Sequence, residues 1–263
     1  MTLQPESILA TPSRDLVGSL EKGLAVMEIL AATPDGMTLT EMAEAAALTR
    51  AGARRFLLTL VALGYALQDG RNFRLSPRLL TVARTWVGGA SLWTFAEPFM
   101  REVSERANES CSAAVLSDLD VVYVARVGAT RILSVAVHVG TRLPAWCTSM
   151  GRVLAAGLPD AEIDAFAKRS APGPLTPKSL TDPAALAAVI RKARADGFAL
   201  VDEELELGLR SIAVPIRDRT GKTVAAINVS TQTARFSAAA LERDVLPLLR
   251  KAATGIEDYF VVQ

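Results

Sequence analysis

The sequence predicts an α+β chain in two parts, on three observations. Between Leu39 and Leu75 the apolar spacing reads helix, tight turn, helix and short hairpin. From Cys111 onward, short β-rich runs alternate with helical periods. Between them, Ser76-Pro77 opens a further helix that ends near Gly88-Gly89, because serine caps and proline suits the first helical position. The 263 residues thus divide into a flexible tail over 1–17, a winged helix-turn-helix over 18–78, a linker helix over 79–91 and a larger mixed domain over 92–263.

Taken in order, Ser19 to Ala32 is an amphipathic helix with Leu20, Leu24, Met27, Ile29 and Leu30 on its apolar stripe, ended by Pro34-Asp35-Gly36. Thr40 to Ala46 is a compact helix with a capping threonine and early acids. Leu48-Thr49 makes the turn, and Thr49 caps a second helix that Gly64 stops. Tyr65 to Leu67 and Phe73 to Leu75 alternate as strands around Asp69-Gly70. A helix from about Phe99 to Asn108 leads into strands at Cys111 to Ser117, Val121 to Val127 and Ile132 to His138. Helices follow at Ser149 to Gly157, Asp160 to Lys168 and Pro183 to Asp196. Strands return at Phe198 to Val201, Arg210 to Ile216 and Val224 to Thr231, and Ser237 caps a last helix reaching about Tyr259.

Charge gives the first part a chemistry. The whole chain carries a formal net charge of only +1. From Leu48 to Arg84, however, Arg50, Arg54, Arg55, Arg71, Arg74, Arg78 and Arg84 stand against Asp69 alone. Arginine suits bidentate contact with phosphate or guanine. A winged helix-turn-helix offers one helix to a major groove and its wing to the flanking backbone. The candidate contacts to double-stranded operator DNA are Thr49, Arg50, Ala51, Arg54 and Arg55 on the helix, with Arg71, Asn72 and Arg74 on the wing. One such helix covers few base pairs, so a homodimer or tetramer is expected.

Composition narrows the rest. Half of the residues are hydrophobic (50%), enough to fill real cores. No apolar run is long enough for a membrane helix and no signal core opens the chain, so a cytoplasmic, nucleoid-associated protein is expected. Cys111 and Cys147 have no metal-site spacing, and no glycine-rich phosphate loop or cofactor motif occurs. An enzyme would have to pair His138, the only histidine, with Cys147 or Ser149. No nucleophile-elbow pattern accompanies them, and Asp202, Glu203, Glu204 and Glu206 read as a solvated acidic edge.

Several stretches resemble the IclR family of transcriptional regulators. Ser19-Leu20-Glu21-Lys22-Gly23-Leu24, Leu57-Leu58-Thr59-Leu60 with Gly64-Tyr65, and Phe73 to Leu80 resemble its DNA-binding half. Gly208 to Ile216 resembles the core of its GAF-like effector-binding domain. Gly140 to Arg152 and Leu48 to Leu58 are similar to the branch that regulates the β-ketoadipate pathway. The resemblance implies a small aromatic or dicarboxylic acid effector such as protocatechuate, 4-hydroxybenzoate or β-ketoadipate. It also implies transcriptional activation, hence RNA polymerase as a partner. The alternative within the family is a repressor responding to a non-aromatic carboxylic acid.

The resemblance implies that Ser149, Met150, Ser211, Asn228 and Ser230 surround the effector. Beside it, physical reading puts Thr148 and Ser149 just before a helix, where free backbone N–H groups favour an anion. Arg142 or Arg152 could pair with a carboxylate there, and Trp146 could cover a ring. One departure stands out: an acidic pair of the family, before the equivalent of Glu203-Glu204, reads Val201-Asp202 here.

Overall fold

Thr38 starts the helix-turn-helix: its hydroxyl accepts from Glu41 N (3.4 Å), and Glu41 Oε2 accepts from Thr38 N (2.7 Å). Two orphan donors at the helix start are thereby satisfied. The cap is Thr38 and not Thr40, so the helix begins a residue earlier than expected. The computed structural model describes residues 17–79, 81–82, 92–129 and 137–262. The chain divides into two units, Met1–Gly89 and Ala90–Gln263.

The first unit contains α1 (Gly18–Ala31), β1 (Met37–Thr38), α2 (Leu39–Ala45), α3 (Arg50–Ala62), β2 (Ala66–Asp69) and β3 (Asn72–Leu75). Ala47, with φ +50°, turns α2 into α3. Thr49 then caps α3 by accepting from Gly52 N at 3.1 Å. The wing hairpin closes through Gly70-Arg71, and Gly70 (φ +57°) takes the left-handed first loop position that a type II′ turn requires. β1 was not expected; it pairs antiparallel with β3 through Met37–Phe73 and Thr38–Asn72. Val26, Leu30, Met42, Leu57 and Phe73 form the core. Leu20 and Leu24 leave the expected stripe, being 61% and 48% exposed.

In the second unit α4 (Leu92–Ala107) begins before Pro98 and runs through it, where the sequence suggested a start after the proline. The strands are β4 (Ser110–Ser117), β5 (Asp120–Val127), β6 (Arg142–Pro144), β7 (Ala199–Asp202), β8 (Leu209–Arg217) and β9 (Thr223–Gln232). They make one antiparallel sheet in the order β6-β5-β4-β9-β8-β7. A 3-10 turn (Ala145–Cys147) leads into α5 (Ser149–Ala155), followed by α6 (Asp160–Arg169) and α7 (Pro183–Asp196). The chain finishes with α8 (Ala238–Ala240), a π-helical turn (Leu241–Val245), α9 (Leu246–Glu257) and α10 (Tyr259–Val262).

Alternation along the central strands sends side chains to two cores. Cys111, Ala113, Ile212, Val214, Ile227 and Val229 join Met100 and Val103 of α4 and Leu249 and Ile256 of α9. On the other face Ala114, Ala213 and Ala226 meet Met150, Val153 and Leu154 of α5, backed by Ile163, Phe166, Leu186 and Ile190. Alanines there let α5 lie close. Gly151 is part of that fit, since a Cβ on it would overlap the Ala145 carbonyl.

Three expectations fall largely outside the described residues. Of the expected tail over 1–17, only Val17 is described. Of the strand Ile132 to His138, only Val137 and His138 are described, both in irregular backbone. Of the linker over 79–91, residues 79, 81 and 82 are described, and all are helical.

Candidate functional site

Each unit presents one candidate surface. On α3, Ala53, Leu57 and Leu60 turn inward, which sends Arg50, Ala51, Arg54 and Arg55 to the exposed side. Thr49 sits at the exposed start of that helix. Arg71 occupies the wing loop, with Asn72 and Arg74 exposed on β3 beside it. Among the described residues, none of Arg50, Arg54, Arg55, Arg71 or Arg74 is paired with an acid. Their charge therefore stays uncompensated, as contact with an anionic partner requires. Arg78 behaves differently: its guanidinium lies over the Tyr65 ring at 5.2 Å from the centroid. Arg84 lies outside the described residues.

In the second unit a cavity of about 360 Å³ opens on the α5 face of the sheet. Strand register builds its floor. Across the sheet Arg126 stands opposite Ser112, and Ser112 opposite Asn228. In the next row Ser230 stands between Ser110 and Ser211, and Ser211 stands opposite Val201. Where alanines admit α5 at one end of this face, serines and an asparagine leave room at the other. Tyr123, Val137, Leu143, Leu205 and Leu209 contribute apolar wall, and Thr141, Cys147, Thr148 and Glu206 complete the lining.

Of the expected effector residues, Thr148, Ser211, Asn228 and Ser230 line this cavity, while Arg142, Trp146, Ser149, Met150 and Arg152 do not. Arg142 is exposed at the sheet edge, where Nε donates to Asp120 Oδ2 (3.1 Å) and the guanidinium reaches Ser117. Trp146 and Met150 are buried core. Arg152 is buried and ion-paired with Glu204 at 2.5 Å, so its charge is already neutralised. Ser149 is the first residue of α5, not a residue before it, and its buried hydroxyl has no partner. Thr148 is the cap, accepting from Gly151 N at 3.1 Å, and so uses its own hydroxyl where an effector carboxylate had been expected.

The acidic edge is likewise not uniformly solvated. Glu204 is buried against Arg152, Asp202 pairs with Arg210 (2.8 Å), and Glu203 pairs with Lys178. Thr176 and Ser179 donate to the carbonyls of Glu203 and Glu204 at 2.6 and 2.7 Å. These bonds pin the segment that carries Leu205 and Glu206 to the cavity wall. Val201, in place of the family acid, is a buried wall residue.

Sequence reading missed Ser112, Tyr123 and Arg126. A signal for Ser112 and Arg126 exists: Ser110 and Ser112 alternate at the start of a mostly apolar strand, and Arg126 interrupts the hydrophobic run Val121 to Val127. Burial pushes the Tyr123 hydroxyl up to about 12 against the opposing pull of Arg126. Asn228 Nδ2 donates to Ser230 Oγ at 3.0 Å, and its buried Oδ1 has no partner. Such an orphan costs about 1–3 kcal/mol until something donates to it. Cys147 is also held neutral, its thiol raised to about 12 by burial and by Glu204, and His138 is exposed.

Comparisons with known proteins agree with this anatomy. The IclR helix-turn-helix domain matches residues 19–70, and the bacterial transcriptional regulator IclR C-terminal domain matches residues 85–258. The Pca regulon regulatory protein of Pseudomonas putida is 39% identical over 247 residues, covering 94% of this chain and 85% of the relative. The p-hydroxybenzoate hydroxylase transcriptional activator of Acinetobacter baylyi is 34% identical over 260 residues, covering 97% and 96%. An IclR homolog from Microbacterium hydrocarbonoxydans, solved in complex with 4-hydroxybenzoate, superposes with a TM-score of 0.82 at 26% identity, covering 93% and 100%. These relatives are regulators, and the enzyme reading on His138 is set aside with them. An IclR helix-turn-helix domain followed by an IclR C-terminal domain, over nearly the whole chain, places it plainly: the chain belongs to the IclR family of bacterial transcriptional regulators.

Proposed function

We propose that this regulator binds a small aromatic carboxylic acid in the sheet-face cavity and, when occupied, activates genes for the breakdown of such acids. The observation that carries the reading is the cavity's composition. Arg126 supplies a cation, Ser112, Thr148, Ser211 and Ser230 supply hydroxyls, and Leu143, Val201 and Leu209 supply apolar wall. A flat ring with a carboxylate suits that mixture, because the ring desolvates apolar surface while the carboxylate meets a guanidinium. The Pseudomonas and Acinetobacter relatives are named for the pca regulon and for p-hydroxybenzoate hydroxylase, which favours the same class.

On the DNA side, Thr49, Arg50, Ala51, Arg54 and Arg55 read the operator groove while Arg71, Asn72 and Arg74 hold its backbone. A homodimer, or a tetramer of such pairs, brings two reading helices to a repeated site. Residues 18–78 form the reader and 92–263 the sensor. The linker over 79–91 carries the effector's preference for one arrangement to the DNA, limited by its differential affinity for the two states. As an activator in the cytoplasm, on the nucleoid, it then engages RNA polymerase.

The test is a melting screen of the full chain with 4-hydroxybenzoate, protocatechuate, benzoate and β-ketoadipate. A ligand at about 100 times its Kd adds about 2.7 kcal/mol to the folded state, so an aromatic acid should raise the melting temperature by several degrees. A shift with acyclic acids alone would sink the aromatic reading.

A further inference from the structure

Strand β5 carries a bulge beside the cavity. Ala113 of β4 stands opposite Ala125, but the next residue, Ala114, stands opposite Tyr123, so Val124 is an extra residue on β5. On a regular strand Tyr123 and Arg126 would face opposite sides of the sheet, because side chains alternate. The extra residue brings them to the same side, and both line the cavity. Val124 and Ala125, adjacent in sequence, accordingly both pack toward the opposite core. Two other hydroxyls of the cavity are already engaged: Thr148 bonds to Gly151 N and to the Ala145 carbonyl, and Ser230 accepts from Asn228. The Tyr123 hydroxyl has no partner among the described residues, and unlike Ser149 Oγ and Asn228 Oδ1 it is not sealed off. Burial keeps it protonated, hence a donor, while Arg126 stands near enough for its charge to pull the other way.

We infer that Tyr123 is a specificity-determining residue of this cavity: its phenol donates to the same carboxylate that Arg126 meets, and the bulge at Val124 is what makes the two one anion-holding pair. The inference rests on the proposed aromatic acid effector and assigns a residue to its charged end. An ionised carboxylate has two acceptor oxygens, so guanidinium and phenol can bond to it together. A carboxamide has a single oxygen and turns its N–H donors toward other donors. Hydrogen bonds to an ionised group are the stronger ones, so loss of the phenol hurts an acid more than its neutral amide. A ring hydroxyl at the far end of the effector is irrelevant to this pair, so acids with and without one depend on Tyr123 equally.

Isothermal titration of the full-length protein with 4-hydroxybenzoate, benzoate and 4-hydroxybenzamide tests this, in wild type and in Tyr123→Phe, which keeps the ring in the wall and removes only the hydroxyl. The variant should bind each acid about tenfold more weakly than wild type, and the amide with a clearly smaller loss. Its ligand-free urea midpoint should stay at the wild-type value, since that hydroxyl bonds to nothing in the described protein. If the phenylalanine variant does not fold, Tyr123→Met, which also fills the wall without a donor, decides. Acid affinities that match wild type overturn the inference while the aromatic effector stands. A loss as large for the amide as for the acids overturns it too, as does a loss confined to 4-hydroxybenzoate, which would put the phenol at the ring hydroxyl. A wild type that binds neither acid overturns both readings.

Discussion

Arg152 and Glu204 are 52 positions apart in sequence, yet Arg152 Nη2 lies 2.5 Å from Glu204 Oε2 in the interior. Both side chains are nearly out of solvent, at 5% and 10% exposure. Arg152 Nε also donates to the Trp146 carbonyl (3.3 Å), and Glu204 Oε2 accepts from Leu180 N (3.4 Å). The pair therefore ties α5 to the segment that carries Leu205 and Glu206 into the cavity wall. Its cost is the desolvation of two charges, which only close pairing and these extra bonds offset.

Breaking the pair from one side should be expensive. Glu204→Gln leaves Arg152 buried without an anion and should lower unfolding free energy by about 3–5 kcal/mol. The double replacement Arg152→Met with Glu204→Leu should recover most of that loss, because no charge is then stranded. Urea denaturation of the three proteins measures it. A double variant as unstable as the single would mean that the charges are not what the interior has to accommodate.

Arg54→Ala should weaken operator binding by about 1–3 kcal/mol if Arg54 reads a base from α3, as proposed. Arg71→Ala with Arg74→Ala should weaken specific and non-specific DNA alike. That pair should also flatten the slope of log affinity against log salt by about one unit per lost phosphate contact. Fluorescence anisotropy at several salt concentrations separates the two effects. An unchanged slope would remove the wing from the backbone.

Gly151→Ala should be far worse than a usual glycine-to-alanine change within a helix. The added Cβ meets the Ala145 carbonyl and Cα, which belong to the 3-10 turn and cannot rotate away. Overpacking of this kind costs about 1–3 kcal/mol or more, while helix propensity returns about 1 kcal/mol at most. Thermal unfolding should show a net loss and weakened effector binding, since Cys147 and Thr148 beside that turn line the cavity. A stabilised variant would show that α5 and the 3-10 turn can move apart.

The two thiols should be silent in the native protein. Burial raises Cys111 from 9.0 to about 12, and burial together with Glu204 does the same to Cys147. A raised value means that the fold favours the neutral thiol. The stability it adds is complete below pH 9 and is lost as pH climbs from about 9 toward about 12. Iodoacetamide at pH 8.5 should leave both unmodified until urea is added, and Cys111→Ala should flatten the alkaline fall in stability. Rapid native alkylation of Cys147 would mean that the cavity admits solvent to its sulfur.

Much of the first unit is local in its physics, and so was legible. Thr49 caps α3 through a bond three residues away, Gly70 supplies the one positive φ of the wing loop, and α3 sorts its arginines outward by helical period alone. The strand β1 escaped notice because Met37 and Thr38 form a strand only by meeting Phe73 and Asn72, far along the chain. Leu20 and Leu24 looked like core for the opposite reason: period assigns a face, but only a neighbour can bury it.

The sequence by itself determined the family, most helices and strands other than β1 and β6, and the arginine-rich face, since each depends on motifs or on contacts within a few residues. Tertiary structure alone decided which polar groups share the cavity. Arg126, Ser112 and Asn228 are set in one row by strand register, and Arg152 is ion-paired with a carboxylate 52 positions away. A helix period or a cap can be read along one dimension. Register between distant strands and the pairing of a buried charge are set by packing across the chain, where one residue's slip would turn every side chain to the other face.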